Sequence, residues 1–212
     1  MSAGLKKVLI AASVAIVLGS AFAAWRYFGA KQTAAPFEGT NVTFGGPFKL
    51  VDHNGRATTN QQFLGQYLIV FFGYTSCPAV CPTTLLTISQ ALDQLGSEAR
   101  LVQPLFVSVD PERDTPKVLA EYVAQFDKRI LGLTGSAAGI ANVARAFHVY
   151  YRKIPDDHGG YDIEHTATIY VMGPDGEFLM LIPPEASSQR IAMLLRERLN
   201  EVNGERTEQE KP

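Results

Sequence analysis

The sequence is poor in cysteine, histidine and tryptophan, and it has no large excess of charge. Its 212 residues include 2 cysteines, 4 histidines and 1 tryptophan, and the formal net charge is −2. Lys and Arg form no block and are not interleaved with aromatic residues, so no nucleic-acid partner is expected. No internal repeat is present. The hydrophobic content of 46% is enough for one domain with a substantial core plus appendages.

A long apolar run occurs once, at residues 8–24, directly after Lys6 and Lys7. About 17 residues is the lower limit for a helix that crosses a bilayer, so we predict a membrane anchor over residues 1–30. The two lysines favour an N-terminus on the inner side, which leaves the rest of the chain exported. A cleaved signal peptide is the alternative, because 21–23 (Ala-Phe-Ala) resembles a cleavage site. No cysteine is present there for attachment of a lipid.

The remainder divides into a linker, a domain and a tail. Residues 31–46 mix Pro, Gly and Thr and are predicted to be a linker. Residues 47–202 are predicted to form the globular domain. The segment 203–212 lacks apolar residues after Val202, so we expect a disordered tail. An exported domain lies where thiols tend to oxidise, so a working dithiol there needs a reductant or a metal.

The two cysteines lie between a predicted strand and a predicted helix. Residues 67–72 are apolar and rich in branched and aromatic side chains, as is typical of a buried parallel strand. Apolar residues then recur at helical spacing over 85–95, and Pro82 suits the first helical turn. Cys77 and Cys81 are therefore predicted at a strand-to-helix turn.

The spacing of Cys77 and Cys81 allows their sulfur atoms to meet. Residues four apart at the start of a helix project from the same face. The helix N-terminus favours negative charge, so at least one thiol is expected to ionise readily. Two interpretations stay open from these residues: a redox dithiol, or two soft ligands of a metal site that is completed elsewhere. An inert disulfide is disfavoured, because so small a loop restrains little chain entropy.

The rest of the domain alternates between predicted strands and helices. The predicted elements are a hairpin at 48–55, a strand at 101–109, a helix from Pro116, a strand at 130–133, a helix from Ser136, a hairpin at 166–182 and a last helix from Ser187. This order predicts an α/β fold with an N-terminal hairpin extension. The charged loop at 110–116 lies at the carboxyl end of a strand, where open α/β sheets place their sites. We nevertheless expect that loop to be solvated.

The four histidines differ in their predicted settings. His53 falls in the Asn-Gly turn and is expected to be an exposed turn residue. His148 is expected to pack or hydrogen-bond in an extended segment, and His158 lies in a polar, glycine-rich loop predicted to be mobile. His165 directly precedes the strand at 166–172, and it is the main candidate for a third ligand.

Three separated motifs resemble the Sco/SenC family. They are Gly73-Tyr74-Thr75-x-Cys77-Pro78-x-Val80-Cys81-Pro82, Ser108-Val109-Asp110-Pro111-Glu112-Arg113-Asp114-Thr115-Pro116, and Asp162-x-x-His165 before a strand ending Gly173-Pro174-Asp175-Gly176. The resemblance covers roughly residues 44–202 and implies a thioredoxin-like fold. Members of this family are membrane-anchored copper proteins that help to assemble cytochrome c oxidase.

The resemblance implies that Cys77, Cys81 and His165 together bind one copper ion. Two thiolates suit Cu(I), and an added imidazole gives a site that also holds Cu(II). By similarity, Thr166 occupies the position of the thioredoxin cis-proline, so the imidazole of His165 is expected to face the sulfur atoms. Ala79 departs from the family, which usually has Asp there; this leaves the preference for Cu(II), redox tuning and partner docking open.

Proximity in sequence suggests Asp162 and Glu164 as hydrogen-bond partners of the His165 ring. A structural zinc site is disfavoured, because it normally needs four protein ligands.

The function implied by the resemblance is that of a copper metallochaperone. It would deliver copper to the dinuclear copper A centre of an oxidase subunit, from an inner-membrane anchor with the domain on the periplasmic or intermembrane-space side. The alternative is a thiol-disulfide reductase that needs a thiol reductant, in which Cys77 attacks and Cys81 resolves. A thiol peroxidase is less well supported, because Arg113 is the one candidate to bind its oxyanion. Enzymatic activity is therefore expected only if the dithiol is redox active.

Overall fold

Nine strands and four α-helices make up the described part of the chain in this computed structural model, which covers residues 43–156 and 159–209, with 201–209 as backbone only. The strands are β1 (Lys49–Asp52), β2 (Ala57–Thr59), β3 (Tyr67–Gly73), β4 (Val102–Ser108), β5 (Leu131–Thr134), β6 (Tyr151–Pro155), β7 (Tyr161–His165), β8 (Ile169–Met172) and β9 (Phe178–Ile182). The α-helices are α1 (Val80–Leu95), α2 (Pro116–Val123), α3 (Ala137–Ala146) and α4 (Ser188–Gln209). Short 3-10 helices occupy Asn60–Phe63 and Gly96–Leu101.

Seven of the strands form one mixed sheet in the order β2-β1-β5-β4-β3-β8-β9. The three central strands β5, β4 and β3 are parallel, and the flanking pairs β1–β2 and β8–β9 are antiparallel. Both predicted hairpins are therefore confirmed. The strands β6 and β7 form a separate two-stranded antiparallel sheet.

The central strand β3 contributes to a hydrophobic core on each face of the sheet. Tyr67, Ile69 and Phe71 pack with buried residues of α1, α2 and α4, whereas the alternate residues 68, 70 and 72 pack with α3. Every residue of β3 is buried. Since a fully buried apolar side chain contributes roughly 1.5–3 kcal/mol, this strand is a firm support for the cysteine turn at its carboxyl end. The molecule is thus a helix-covered α/β sheet, as predicted.

Several predicted helix boundaries are confirmed by their caps. Thr115 accepts a hydrogen bond from the backbone of Val118, and Pro116 opens α2. Ser136 caps α3 in the same way through Gly139. The helix α1 ends at Gly96, whose φ of +61° favours glycine.

Two features differ from the sequence-based expectations. The pairing of β6 with β7 was not predicted, because their side chains are largely polar or charged and lack a continuous apolar pattern. The backbone of α4 continues to Gln209, into the segment 203–212 for which we expected a disordered tail. Glu205, Arg206, Glu208 and Gln209 have high helix propensity, whereas Asn203, Gly204 and Thr207 do not.

The predicted anchor at 1–30 lies outside the described residues. Among the residues that are described, no helix is both long and apolar enough to cross a membrane. A compact unit begins at Thr43, close to the predicted start of the domain at residue 47.

Candidate metal centre

Three chain segments meet at the carboxyl edge of the parallel strands. The cysteine turn follows β3, and the loop at 110–116 follows β4, whose last residue pairs with Gly73. His165 ends β7 just before β8, and β8 pairs antiparallel with β3, Ile169 opposite Phe71. The start of β8 therefore lies beside the end of β3. Sites are expected at this edge of an open α/β sheet.

The cysteine turn places one thiol at the surface and one in the core. Cys77 precedes α1 and is partly exposed, whereas Cys81 lies in the first turn of α1 and is fully buried. The backbone N–H of Cys81 donates a hydrogen bond to Cys77 Sγ at 3.4 Å. Gly73 makes room for the buried thiol, because a Cβ atom at that residue would lie 2.6 Å from Cys81 Sγ. No pattern in the sequence predicted this packing role of Gly73.

His165 presents one ring nitrogen to the cysteines. Its Nδ1 lies 3.0 Å from the carbonyl oxygen of Thr166, which can only accept, so Nδ1 carries the proton. Nε2 is therefore the ring nitrogen that faces the cysteines, and it lies 3.7 Å from Cys81 Sγ. The ring also makes an edge contact with Tyr74, with ring centroids 5.7 Å apart. Fixing the tautomer through Nδ1 is how metal-binding histidines are commonly oriented.

The two sulfur atoms and His165 Nε2 form a set that can hold a metal ion. All three ligand atoms lie within 4.8 Å of one another. Ligand atoms that bind one ion at about 2.3 Å are separated by at most about 4.6 Å, so small adjustments suffice. Within the described residues, Cys77, Cys81 and His165 are the one cluster of this kind. Two soft thiolates with one imidazole suit copper.

The two thiols differ strongly in acidity. A hydrogen bond from the Cys81 thiol lowers the pKa of Cys77 to about 3, against the effect of partial burial, and His165 lowers that pKa further. The hydrogen bond to Cys77, together with burial, raises the pKa of Cys81. Cys77 is therefore a thiolate at neutral pH while Cys81 keeps its proton. This agrees with the expectation that at least one thiol ionises readily.

The loop at 110–116 is only partly the solvated loop that we expected: Glu112 and Thr115 are exposed, but two carboxylates are not. Asp110 and Asp114 are fully buried. Asp114 accepts hydrogen bonds from the hydroxyl of Ser108 (2.6 Å) and from both the hydroxyl (2.6 Å) and the backbone N–H (3.0 Å) of Thr75. Burial raises the pKa of Asp114, although these hydrogen bonds oppose the shift. The expectation failed for these two carboxylates because charge in a loop does not reveal buried hydrogen-bond partners.

Arg113 is engaged by neighbours other than the thiols. It pairs with the carboxylate of Asp110, and its Nη1 donates to the carbonyl oxygen of Tyr161 at 2.9 Å. Its guanidinium also lies over the Tyr161 ring, 3.9 Å from the centroid. These contacts give Arg113 a role that differs from the oxyanion binding considered for a peroxidase. No pattern in the sequence indicated the contact between Arg113 and Tyr161.

The other predicted candidates lie elsewhere or have other partners. His53 Nδ1 accepts a hydrogen bond from the backbone N–H of Gly132 at 3.0 Å, so its role is structural. His148 packs edge-on against Phe44, and it has a positive φ of 54° instead of the extended backbone that was expected. His158 lies outside the described residues.

The two acidic residues near His165 do not match their predicted role. Glu164 pairs with Arg152, and the Nδ1 hydrogen bond of His165 goes to the Thr166 carbonyl instead of to Asp162 or Glu164. In β7, alternate side chains point to opposite faces, and so Glu164 is directed away from its neighbour His165.

Known proteins match most of the described domain in sequence. The SCO1/SenC family matches residues 37–200. Human protein SCO1 homolog, mitochondrial, is 46% identical over 138 residues, which cover 64% of this chain and 46% of that protein. Bovine protein SCO2 homolog, mitochondrial, is 44% identical over 149 residues, covering 69% and 56%. The chain thus spans about half the length of the curated relatives it matches.

Solved structures with the same fold have copper bound. Bradyrhizobium japonicum ScoI with copper bound superposes with a TM-score of 0.69 at 43% identity, covering 73% of this chain and 98% of that one. Yeast Sco1 with copper bound has a TM-score of 0.69 at 33% identity, covering 74% and 89%. The fold is therefore the thioredoxin-like α/β fold of these proteins. The matched residues span most of the described domain, and the chain belongs to the SCO1/SenC family.

Proposed function

We propose that this protein is a copper metallochaperone. It binds one copper ion through Cys77, Cys81 and His165 and delivers it to the dinuclear copper A centre of a cytochrome c oxidase subunit during assembly. The observation that carries the proposal is the convergence of two sulfur atoms and one imidazole nitrogen within 4.8 Å. Family membership and the copper-bound ScoI and Sco1 structures support the choice of metal.

The site combines a buried and an exposed side, which suits a carrier. Cys81 is buried, whereas Cys77 and His165 are partly exposed, and the adjacent residues Pro78 and Val80 are exposed. Acceptor thiols or imidazoles can therefore approach copper from the side of Cys77 and His165. Release proceeds by ligand exchange, in which the acceptor displaces the protein ligands in turn. A three-ligand site leaves room for an incoming fourth ligand.

Copper titration of the full-length chain in detergent tests the ligand set. We expect one bound ion per chain. A His165→Ala variant should lose Cu(II) binding and keep part of its Cu(I) binding, because two thiolates are sufficient for Cu(I). The matched control is His53→Ala, which removes a histidine that bonds a backbone amide. Normal Cu(II) binding by His165→Ala would contradict the ligand assignment.

A thiol-disulfide reductase is the second candidate, and the different acidity of the two thiols favours it. The Cys77 thiolate attacks an acceptor disulfide, forming a mixed disulfide and releasing one acceptor thiol. Cys81, which lies next to Cys77, then attacks the Cys77 sulfur. This releases the second acceptor thiol and leaves a Cys77–Cys81 disulfide, which a thiol reductant must reduce. His165 contributes no ligand to this reaction.

Respiration in a deletion strain separates the two functions. Rescue by added copper would support delivery. Failure of copper to rescue, with oxidised cysteines accumulating in the oxidase subunit, would support reduction. Complementation with His165→Ala sharpens the result, because a reductase retains function without a copper ligand and a copper carrier does not.

We further propose that the domain at 47–202 works outside the inner membrane. Residues 1–30 form the anchor and 31–46 the linker, leaving the site on the periplasmic or intermembrane-space side. The apolar run and its preceding lysines support this arrangement. Cell fractionation with protease protection tests it: the intact chain should stay with the inner membrane, and protease should reach the domain from the outer side. Release of a shortened soluble chain would instead indicate a cleaved signal peptide.

A further inference from the structure

We propose that the loop at residues 110–116, the bracket loop, sets the position of His165 relative to the two cysteines. We call His165 with its hairpin β6–β7 the histidine side of the site, and Cys77 and Cys81 with their turn the cysteine side. The adjacent residues Arg113 and Asp114 of the bracket loop act as positioning residues, one for each side. The inference rests on two neighbouring contacts. Asp114 accepts hydrogen bonds from the segment leading to Cys77, and Arg113 donates a hydrogen bond to the strand leading to His165. The inference rests on the proposed ligand set and adds residues that do not bind the metal.

The Asp114 arm reaches the cysteine turn. Its two carboxylate oxygens accept both the hydroxyl and the backbone N–H of Thr75, two residues before Cys77. A third hydrogen bond comes from Ser108, at the end of β4. Because Asp114 is fully buried, these three bonds are shielded from water. The arm therefore ties the turn that carries Cys77 to the end of β4.

The Arg113 arm reaches the histidine strand. One nitrogen of its guanidinium donates to the Tyr161 carbonyl oxygen, at the start of β7, and its plane covers the Tyr161 ring. The Tyr161 hydroxyl donates to Asp110 at 2.8 Å, and Asp110 also pairs with Arg113. Tyr161 is thus held at its carbonyl, ring and hydroxyl, four residues before His165. A planar guanidinium is suited to this combination of bonding and stacking, and an ammonium is not.

The two arms are coupled at the centre of the loop. The backbone N–H groups of Arg113 and Asp114 both donate to the Asp110 carbonyl oxygen, at 3.2 and 2.9 Å. The Asp110 N–H in turn donates to the Ser108 hydroxyl, which also bonds Asp114. A shift of either arm therefore moves the other. Arg113 further lies 5.7 Å from the Tyr74 ring centroid, and that ring contacts His165.

The separate hairpin β6–β7 is held by contacts other than main-sheet ladders, those of the buried Ile163 and of the bracket loop among them. It is paired only within itself in the described sheets, so no ladder of the main sheet fixes its position. Within the hairpin, the exposed pair Arg152–Glu164 joins its own two strands and does not reach the bracket loop. Arg152 is therefore a matched control for Arg113. Both arginines are ion-paired and contact the hairpin, but Arg152 has no link to the cysteine side.

The first test uses the metal-free full-length chain in detergent. In Arg113→Ala, we expect the His165 ring protons to lose the ring-current shift that the Tyr74 ring causes in the wild type, as measured by NMR. Arg152→Ala should keep that shift. Unchanged His165 signals in a folded Arg113→Ala protein would overturn the inference, whether or not the protein carries copper in cells.

The second test compares the two copper oxidation states. Loss of a residue that orients a ligand typically costs 10–100-fold in metal affinity, so Arg113→Ala should weaken Cu(II) binding by about that factor. Cu(I) affinity should change by less than about threefold, because both thiolates remain. Arg113→Lys keeps the charge without the planar fork and should give an intermediate loss of Cu(II) affinity.

These outcomes separate the inference from the proposed function. If the wild type binds no copper through Cys77, Cys81 and His165, the proposed function fails. The NMR comparison still shows whether the bracket loop positions His165. If the wild type binds copper but Arg113→Ala binds Cu(II) as tightly as Arg152→Ala does, the positioning role of the bracket loop is contradicted and the proposed function is not. Should Arg113→Ala not fold, Tyr161→Leu takes its place, because it removes the ring and the hydroxyl but keeps the carbonyl. It must then cause the same loss of the ring-current shift at His165. If Tyr161→Leu keeps that shift, the inference is overturned.

Discussion

The two sides of the candidate site are supported in very different ways. The cysteines follow β3, in which every residue is buried, and Cys81 itself belongs to the core. His165 ends β7, in which Ile163 is the only buried residue, and its partner strand β6 has none. The cysteine side therefore shares the stability of the domain. The histidine side depends on a few specific contacts, those of Ile163 and of the bracket loop among them.

This asymmetry suits the proposed carrier function, in which an ion is both held and released. Segments with few buried contacts open at lower free energy than the core does. In the proposed carrier, the imidazole can then withdraw while the two sulfur atoms stay in place. Four predictions test the difference between the two sides, beginning with the cysteine side and ending with the surface of the turn.

The largest effect on stability is expected from truncating a core side chain of the strand that supports the cysteine side. Phe71→Ala should lower the free energy of unfolding by about 3–5 kcal/mol, because the ring is fully buried and its loss leaves a cavity. Urea unfolding measures this. Leu86→Ala, at a half-exposed position of α1, is the control and should change it by no more than about 0.5 kcal/mol. A small effect of Phe71→Ala would mean that the cysteine side is not supported by the core.

Ile163→Ala provides the corresponding change on the histidine side. It removes fewer atoms than Phe71→Ala, and the hairpin can open without the rest of the domain. We therefore expect a smaller loss of global stability but faster amide exchange across β6–β7. Equal losses for the two variants would contradict the asymmetry.

The second prediction concerns Cys81, the buried member of the proposed ligand set. Cys81→Ser should weaken Cu(I) binding more than about 100-fold, or about 2.7 kcal/mol, because it replaces a soft thiolate by a hydroxyl. His165→Ala should weaken Cu(I) binding less. Competition with a Cu(I) chelator gives both affinities. If His165→Ala were the more damaging change, the histidine side would be the principal anchor of the ion.

The third prediction follows from the lowered pKa of Cys77. A thiol whose pKa falls to about 3 is ionised throughout the range above it, so alkylation by iodoacetamide should be nearly constant between pH 5 and pH 8. A free thiol slows about tenfold for each unit below its pKa of about 8.5. Hydrogen bonds from Cys81 and His165 hold the pKa down. Both Cys81→Ala and His165→Ala remove a donor and should therefore raise the pKa of Cys77, and Cys81→Ala should raise it more.

Mass-spectrometric rates of labelling at Cys77 in the metal-free protein give this profile. A wild-type rate that falls tenfold per unit between pH 8 and pH 5 would contradict the assigned hydrogen bonds. A rise in the pKa of Cys77 for Cys81→Ala with none for His165→Ala would show that the histidine side does not influence the thiolate.

The sequence predicted the cysteine side more completely than the histidine side, and the reason is physical. The strand before Cys77 and the helix after it have apolar patterns that determine their own structure, and Pro82 and Gly96 mark the helix ends. His165 was found because of the family resemblance and its place before β8. The hairpin that carries it has no apolar pattern, so the pairing of β6 with β7 was missed.

The bracket loop was missed for a related reason. Asp110, Arg113 and Asp114 look like a solvated charged loop, but the two carboxylates are buried and bonded to Tyr161 and Thr75, which are distant in sequence. Gly73 similarly looks like an ordinary strand end, although it admits the Cys81 sulfur. Long-range polar contacts of this kind leave no periodic signal in the chain.

The smallest predicted effect comes from restoring the residue that the family usually has at position 79. Ala79 is exposed at the N-cap of α1 and makes no side-chain capping bond. Ala79→Asp adds a carboxylate near the helix N-terminus, which should stabilise the fold by about 0.3–1 kcal/mol. The same charge lies two residues from the Cys77 thiolate, so repulsion should raise the pKa of Cys77 in the labelling assay.

Ala79→Asn separates these two effects, because it offers a capping oxygen without charge. It should give a similar gain in stability with no rise in the pKa of Cys77. If Ala79→Asp leaves the labelling profile unchanged, solvent screens the exposed charge from the thiolate. The acidity of Cys77 would then be determined entirely by the buried contacts of the cysteine side and by His165, and not by charges on the surface of the turn.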